Sequence, residues 1–140
     1  MSNTNDLYYI KQDVTQHAYE MHKYIYNLKL SGVYAPKIVS YNKKTKEMII
    51  MKIGNMNISD WYGDSCKKIS NELFDKIRQI IKTLYDNNII YPDITGYNFI
   101  EYDDKLWIID FEHSYFKINK RTQFVDKFIN GLNRWNPEFT

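Results

Sequence analysis

Apolar residues recur at three- and four-residue steps at Leu73, Phe74, Ile77, Ile80, Ile81 and Leu84. That spacing lines one face of an amphipathic helix. Ser70 is placed to cap its start, and Asn87-Asn88 can end it in the left-handed conformation. A second stripe, Ala18, Met21, Ile25 and Leu28, predicts an earlier helix. Asp13 with Gln16 reads as its capping box, and Gly32 as its stop, with Pro36 beyond. A third stripe, Phe124, Val125, Phe128, Ile129 and Leu132, predicts a last helix ending near Gly131. Strands are expected at Leu7 to Lys11, and at Lys37 to Tyr41 and Glu47 to Ile53, the latter two turning at 42–46. Asn55 to Lys68 is irregular, with a short helix near Ile58 to Trp61. Beyond the long helix the order is strand, polar loop, strand, tight turn at Asp103-Asp104, strand. The tail, Trp135 to Phe139, is expected to pack back on the body.

Composition narrows the class. At 140 residues, 44% hydrophobic and 16% aromatic, the chain suits one globular domain, taken as 1–140. Its net charge of +2 and the thin cluster Lys43, Lys44 and Lys46 argue against a nucleic-acid partner. A single cysteine, Cys66, excludes a disulfide framework within the chain and fits a reducing compartment. No apolar run is long enough for a membrane span, and the first residues lack a signal-peptide core. An intracellular, cytoplasmic setting is expected, in a host cell if the gene is viral. The oligomeric state is not legible.

The chemistry concentrates in one stretch. Asp93 and Asn98 lie five residues apart in the polar loop, and Asp110 ends the apolar run that follows the Asp103-Asp104 turn. The hairpin brings loop and Asp110 together, so two carboxylates and a carboxamide converge. Oxygen ligands of this kind suit magnesium. Asp, Asn and Gly are also ordinary turn formers, so the weight comes from context: helix before, strand after, hairpin, apolar strand, acid.

These residues resemble the protein-kinase-like superfamily, whose signatures are D-x-x-x-x-N and a later D-F-G. Asp93-x-x-x-x-Asn98 and Asp110-Phe111-Glu112 match them, and Thr95, two places after the Asp, is similar to RIO kinases and to the kinase subunit of the KEOPS complex. Asp-Phe-Glu itself is similar to choline and aminoglycoside kinases. The resemblance implies an α+β fold, a truncated two-lobe kinase. Its reduced small lobe, about 7–53, would be a small antiparallel sheet with one helix. Its reduced helical large lobe, about 54–140, would carry the catalytic hairpin. By the same resemblance Asp93 is the catalytic acid, and Asn98 and Asp110 hold Mg2+. Lys11 contacts the phosphates of ATP, steadied by Glu20 nine residues later, and Met51 and Ile53 in the hinge contact the adenine.

Departures are visible too. No Gly-x-Gly-x-x-Gly occurs, and with six residues before Leu7 the strands of a glycine-rich lid are not expected. Tyr91 and Pro92 stand where relatives have His and Arg or Gly. Three readings follow. The first is a minimal Mg-ATP phosphotransferase of Ser/Thr protein-kinase type, acting on a protein substrate. The second is a pseudokinase that binds a partner kinase or regulator. The third is a small-molecule kinase, ranked last because the chain lacks the helical insert that builds an acceptor pocket.

Overall fold

The computed structural model describes residues 7–54, 56–63, 65–117 and 123–139. Three antiparallel strands, β1 (Tyr8–Lys11), β2 (Ile38–Asn42) and β3 (Glu47–Met51), form a sheet in the order β1-β3-β2. Lys11 pairs with Met48 and Tyr8 with Met51 across β1 and β3. The β2–β3 register slips between Ile38 and Ser40. Helix α1 (Gln16–Leu28) packs on this sheet through a small buried cluster of Val14, Ala18, Met48 and Ile50.

The start and end of α1 differ from the sequence expectation. Thr15 is the N-cap, its Oγ1 accepting from Ala18 N at 3.1 Å, while Asp13 sits outside the helix at φ 58°. An Asp tolerates the left-handed region better than most residues, so here it turns the chain instead of capping it. The helix stops at Lys29, which adopts φ 52° and donates its N–H to Tyr26 O. Gly32, at φ 81°, belongs to the next turn.

The second layer is helical. A short helix, α2 (Ile58–Tyr62), follows the hinge and begins in a reciprocal capping box between Asn57 and Asp60. The long helix α3 (Asn71–Asp86) is capped by Ser70 Oγ, which accepts from Leu73 N at 3.1 Å, and buries the whole predicted stripe. It leads into β4 (Ile89–Ile90), which pairs with β7 (Tyr115–Phe116). Between them lies the hairpin of β5 (Phe99–Tyr102) and β6 (Lys105–Ile108). Asp103 and Asp104 turn it with φ of 55° and 56°, the left-handed pair of a type I′ turn. Helix α4 (Gln123–Ile129) buries Val125 and Phe128 against α3, but Leu132 lies beyond the helix end and is exposed. The tail folds back as expected, with Trp135 against Phe74 at 4.8 Å between ring centroids. These elements surround one large apolar core under the polar loop.

Candidate active site

A cleft of about 570 Å³ separates the sheet from the β5–β6 hairpin. Lys11, Met48 and Ile50 line it from above, Asn98, Asp110 and Phe111 from below, and Met51, Ile53 and Gly54 at the back. The hairpin brings Asn98 and Asp110 to this cleft, whereas Asp93 is not among its lining residues. Ile109 N donates to Asn98 O at 3.0 Å, which ties the end of β6 to the loop immediately before Asp110. Asp110 adopts φ 62°. A non-glycine residue held in that region stores local strain that surrounding contacts must offset. Two such contacts are present: Glu112 N donates to Asp110 Oδ1 at 3.3 Å, and the Tyr91 hydroxyl donates to Ile109 O.

Asp93 lies beneath the cleft lining and is buried. Burial, then the facing Asp110 carboxylate, push its carboxyl above the usual carboxylate range; the Asn98 side chain and His113 act the other way. Asn98 is buried as well and donates Nδ2 to the Asp93 backbone carbonyl at 2.9 Å. That bond commits its amide nitrogen and leaves Oδ1 as the acceptor. Lys11 reaches down from the sheet to Asp110, Nζ to Oδ1 at 3.7 Å. Both side chains are about one-third exposed, so the pair is worth little as stabilisation. Its value is positional: a cation and a carboxylate face each other across the cleft.

Glu20 does not steady Lys11. It lies on the exposed face of α1, where Oε1 accepts from Gln16 Nε2 at 3.1 Å, and no ion pair joins it to Lys11. The reason is helical geometry. At about 100° per residue, Glu20 lies roughly 200° from Ala18, almost opposite the buried stripe. The α1 residue that faces the cleft beside Ala18 is His22. His22 is buried, its Nε2 bonds Pro36 O at 2.7 Å, and its ring tilts on Phe111 at 5.0 Å. Burial holds its pKa down to about 4, with a smaller contribution from nearby Lys11. The position is therefore filled by a neutral imidazole.

Two supports of the loop were not singled out from sequence. Asn136, in the tail, donates its backbone N–H to Ile94 O at 2.8 Å and its Nδ2 to Pro92 O at 2.7 Å. It brackets Asp93 from both sides. Gly96 touches α2 so closely that a Cβ there would lie 3.1 Å from Ser59 N and collide with Ser59 Oγ. Nothing local in the sequence marks Asn136, whose contacts are 42 and 44 residues away. His22 was findable, since it falls between Met21 and Ile25 on the apolar stripe.

With this geometry in place, comparison with known proteins is informative. The family model of the RIO domain matches residues 2–129. The chain belongs to the RIO-domain family. This RIO domain is also 30% identical over 101 residues to the EKC/KEOPS complex subunit BUD32 of Enterocytozoon bieneusi, a match that takes in 72% of the chain and 43% of that relative. Among solved structures it resembles the Cydia pomonella granulovirus kinase PK-1, with a TM-score of 0.57 and 14% identity over 78% of the chain. It also resembles the yeast RNA polymerase II CTD kinase CTDK-1 complex, with a TM-score of 0.58 and 24% identity over 86% of the chain. In both cases 43% of the solved chain is covered. The fold is a truncated kinase-like α+β fold, and the chain spans less than half the length of these relatives.

Proposed function

We propose that this RIO domain is a magnesium- and ATP-dependent phosphotransferase acting on a hydroxyl of a protein, of Ser/Thr kinase type. The observation that carries the proposal is that Asn98 and Asp110 line one cleft with Lys11, while Asp93 is buried next to them and its backbone carbonyl accepts from Asn98. In this reading the acceptor hydroxyl gives its proton to Asp93 as its oxygen bonds to the γ-phosphorus. The bond from that phosphorus to the β–γ bridging oxygen breaks, and ADP leaves. Burial, and then the charge of Asp110, raise the proton affinity of Asp93, which suits a base working near neutral pH. Lys11 neutralises phosphate charge. Met51 and Ile53 present hinge backbone to the adenine.

The donor set fits magnesium. Among the described residues no group of three or more His, Cys, Asp or Glu forms a ready metal cage. Magnesium does not need one, since it typically takes one or two protein oxygens and completes its shell with phosphate and water. Asp110 and Asn98 Oδ1 would hold the ion. When bound, it would supply electrostatic stabilisation of the charge that develops on the transferred phosphoryl group.

Transfer of labelled γ-phosphate from Mg-ATP to a hydroxyl-bearing acceptor protein, or to the chain itself, tests the proposal. Asp93→Asn should lower the rate by about 10²–10⁴-fold, and Asp110→Ala should abolish it. Asp93→Asn should also raise Tm, because it removes a buried charge that faces Asp110. Sign follows from the raised pKa: folding favours the protonated form of Asp93, so its ionisation costs stability as pH rises through that pKa. Equal transfer by wild type and both variants would refute the assignment.

A second reading rests on the missing Lys11–Glu20 pair. If Lys11 is held only by Asp110, the site can bind nucleotide and transfer slowly or not at all, as a pseudokinase that works by binding a partner kinase or regulator. Mg-ATP at about 100 times its Kd should raise stability by roughly 2.7 kcal/mol in either case. A shift without transfer selects the second reading. The relative named as a KEOPS complex subunit supports a protein-complex setting, and with it an intracellular one, for either reading. Among the described residues no helix is long and apolar enough to cross a membrane.

A further inference from the structure

A second cleft, of about 600 Å³, opens on the other side of the Met51–Ile53 segment. Its aromatic wall includes Tyr26, Tyr34 and Trp107, and its charged lining is Lys29, Lys37 and Lys52, with no carboxylate among the lining residues. A fourth lysine joins them: the Lys105 ammonium lies 5.2 Å from the centre of the Tyr34 ring. Among the described residues none of these four lysines has a carboxylate within ion-pairing distance. Asp103 and Asp104, the acids nearest Lys105 in the chain, sit at the β5–β6 turn and do not line the cleft. The whole chain nets only +2, so this is a local excess of positive charge, on the far side of the hinge from Asp93 and Asp110.

We infer that the cleft behind the hinge docks an acidic segment of a partner protein, with carboxylates on Lys37 and Lys52 and an apolar side chain against Trp107. Charge complementarity argues for the acids, and the aromatic wall argues for an apolar anchor. A peptide is favoured over a nucleic-acid strand by what the rings already do. The Lys29 ammonium covers Tyr26 at 3.5 Å and Lys105 covers Tyr34. Trp107 tilts on Tyr34 at 5.7 Å and spends its indole N–H on Tyr102 O. Bases stack on open ring faces, and these faces are taken up by Lys29, Lys105 and one another, whereas Lys37 and Lys52 offer ammonium groups to carboxylates. Met51, Lys52 and Ile53 line both clefts, so a segment seated here touches the back of the first.

Fluorescence anisotropy on the full chain tests this with three labelled probes. They are a peptide of alternating Asp and Glu around one Leu, the same peptide with Asn and Gln, and oligouridine. The acidic peptide should bind at least about tenfold tighter than its amide twin, and added salt should weaken it. Lys37→Glu with Lys52→Glu should remove that margin, and Trp107→Ala should weaken both peptides, while Lys76→Gln on α3 should change neither. If charge reversal prevents folding, as judged by circular dichroism, Lys37→Gln with Lys52→Gln replaces it, with a smaller loss in the same direction. Equal binding of the two peptides, or binding indifferent to the lysine variants, would overturn the inference. So would tighter binding of oligouridine that the lysine variants abolish, which would make the cleft a nucleic-acid site.

Discussion

Below the cleft, Ile89, Ile90, Tyr91, Ile94, Phe99 and Phe111 are all withdrawn from solvent, and the loop they carry is held by Asn136, Gly96 and the Tyr91 hydroxyl. Above it, the sheet buries only Val14, Ala18, Met48 and Ile50 as its own cluster, with Met21 and Ile25 of α1 joining the large core instead, while Leu7, Tyr9, Ile10 and Val39 remain about half exposed. The floor carries the groups that must hold fixed geometry, and it has the packing to do so. The roof carries one lysine and a surface for the nucleotide, and it has little packing of its own. Regions with few buried apolar contacts open first. The difference therefore predicts a rigid floor and a roof that opens independently of it.

The comparison breaks most easily at Phe99. Its ring is fully buried and meets Tyr91 edge-on at 6.2 Å. Phe99→Ala should cost about 3–5 kcal/mol and unfold the whole molecule at lower urea. Met48→Ala in the roof cluster should cost about 2 kcal/mol, the low end for such truncations, and should show as faster hydrogen exchange in β1–β3 with the α3 amides unchanged. If both variants lower the urea midpoint equally and exchange speeds up everywhere, roof and floor are one cooperative unit.

His22 is the joint between them, bonded to Pro36 O and packed on Phe111. Its folded pKa of about 4 lies below the ordinary 6.5. The folded state thus binds the proton less readily than the unfolded chain. The stabilisation is complete above about pH 6.5 and is lost as pH falls through 4, by roughly 3 kcal/mol at the acid limit. Thermal melts from pH 7.5 to 4 should show this loss in wild type and a flatter profile in His22→Asn, which cannot take up the proton.

How much of this was legible depended on the range of the interaction. The α3 stripe and the Asp103-Asp104 turn are local patterns, and the structure places both as the pattern implies; of the site residues, Asn98 and Asp110 line the cleft and Asp93 does not. Glu20 failed because the kinase comparison outweighed the helix's own periodicity, which already set it opposite Ala18. The start of α1 failed because two residues that can cap, Asp13 and Thr15, lie two positions apart, and tertiary packing of Val14 decides between them. Leu132 continued the spacing of α4 but not its helix, since the chain turns at Gly131 with φ 76°. Asn136 and the Gly96–Ser59 contact were beyond reach, because each depends on segments far apart in the chain.

Gly96 sharpens the comparison within the floor itself. It has no Cβ, and α2 approaches it at Ser59 closely enough that a methyl group has no room. Gly96→Ala should cost about 1–3 kcal/mol by overpacking. Because the loop must shift to make space, phosphoryl transfer should fall further than stability does. Pairing it with Ser59→Gly removes the Oγ and should restore part of both. Failure of the pair to recover either quantity would place the strain elsewhere.

The smallest expected effect on stability is the most telling about the floor. Asn136→Ala keeps the backbone N–H that donates to Ile94 O and removes two side-chain bonds, Nδ2 to Pro92 O and the one Oδ1 accepts from Glu138 N. Each lost hydrogen bond is worth about 1 kcal/mol, and Pro92 O, next to Asp93, keeps the Ile94 N–H as a donor at 2.8 Å. The fold should survive with a Tm lower by a few degrees. What changes is the freedom of Asp93, which loses one of its two brackets while the hinge and Lys11 are untouched. The rate of transfer should therefore drop while the KM for ATP stays the same. Asn136→Asp should fare worse than Ala in both rate and stability, because it sets a carboxylate oxygen against the carbonyl oxygen of Pro92. A rise in KM for ATP at unchanged kcat would show that the tail braces the nucleotide side of the cleft and not the acid beneath it.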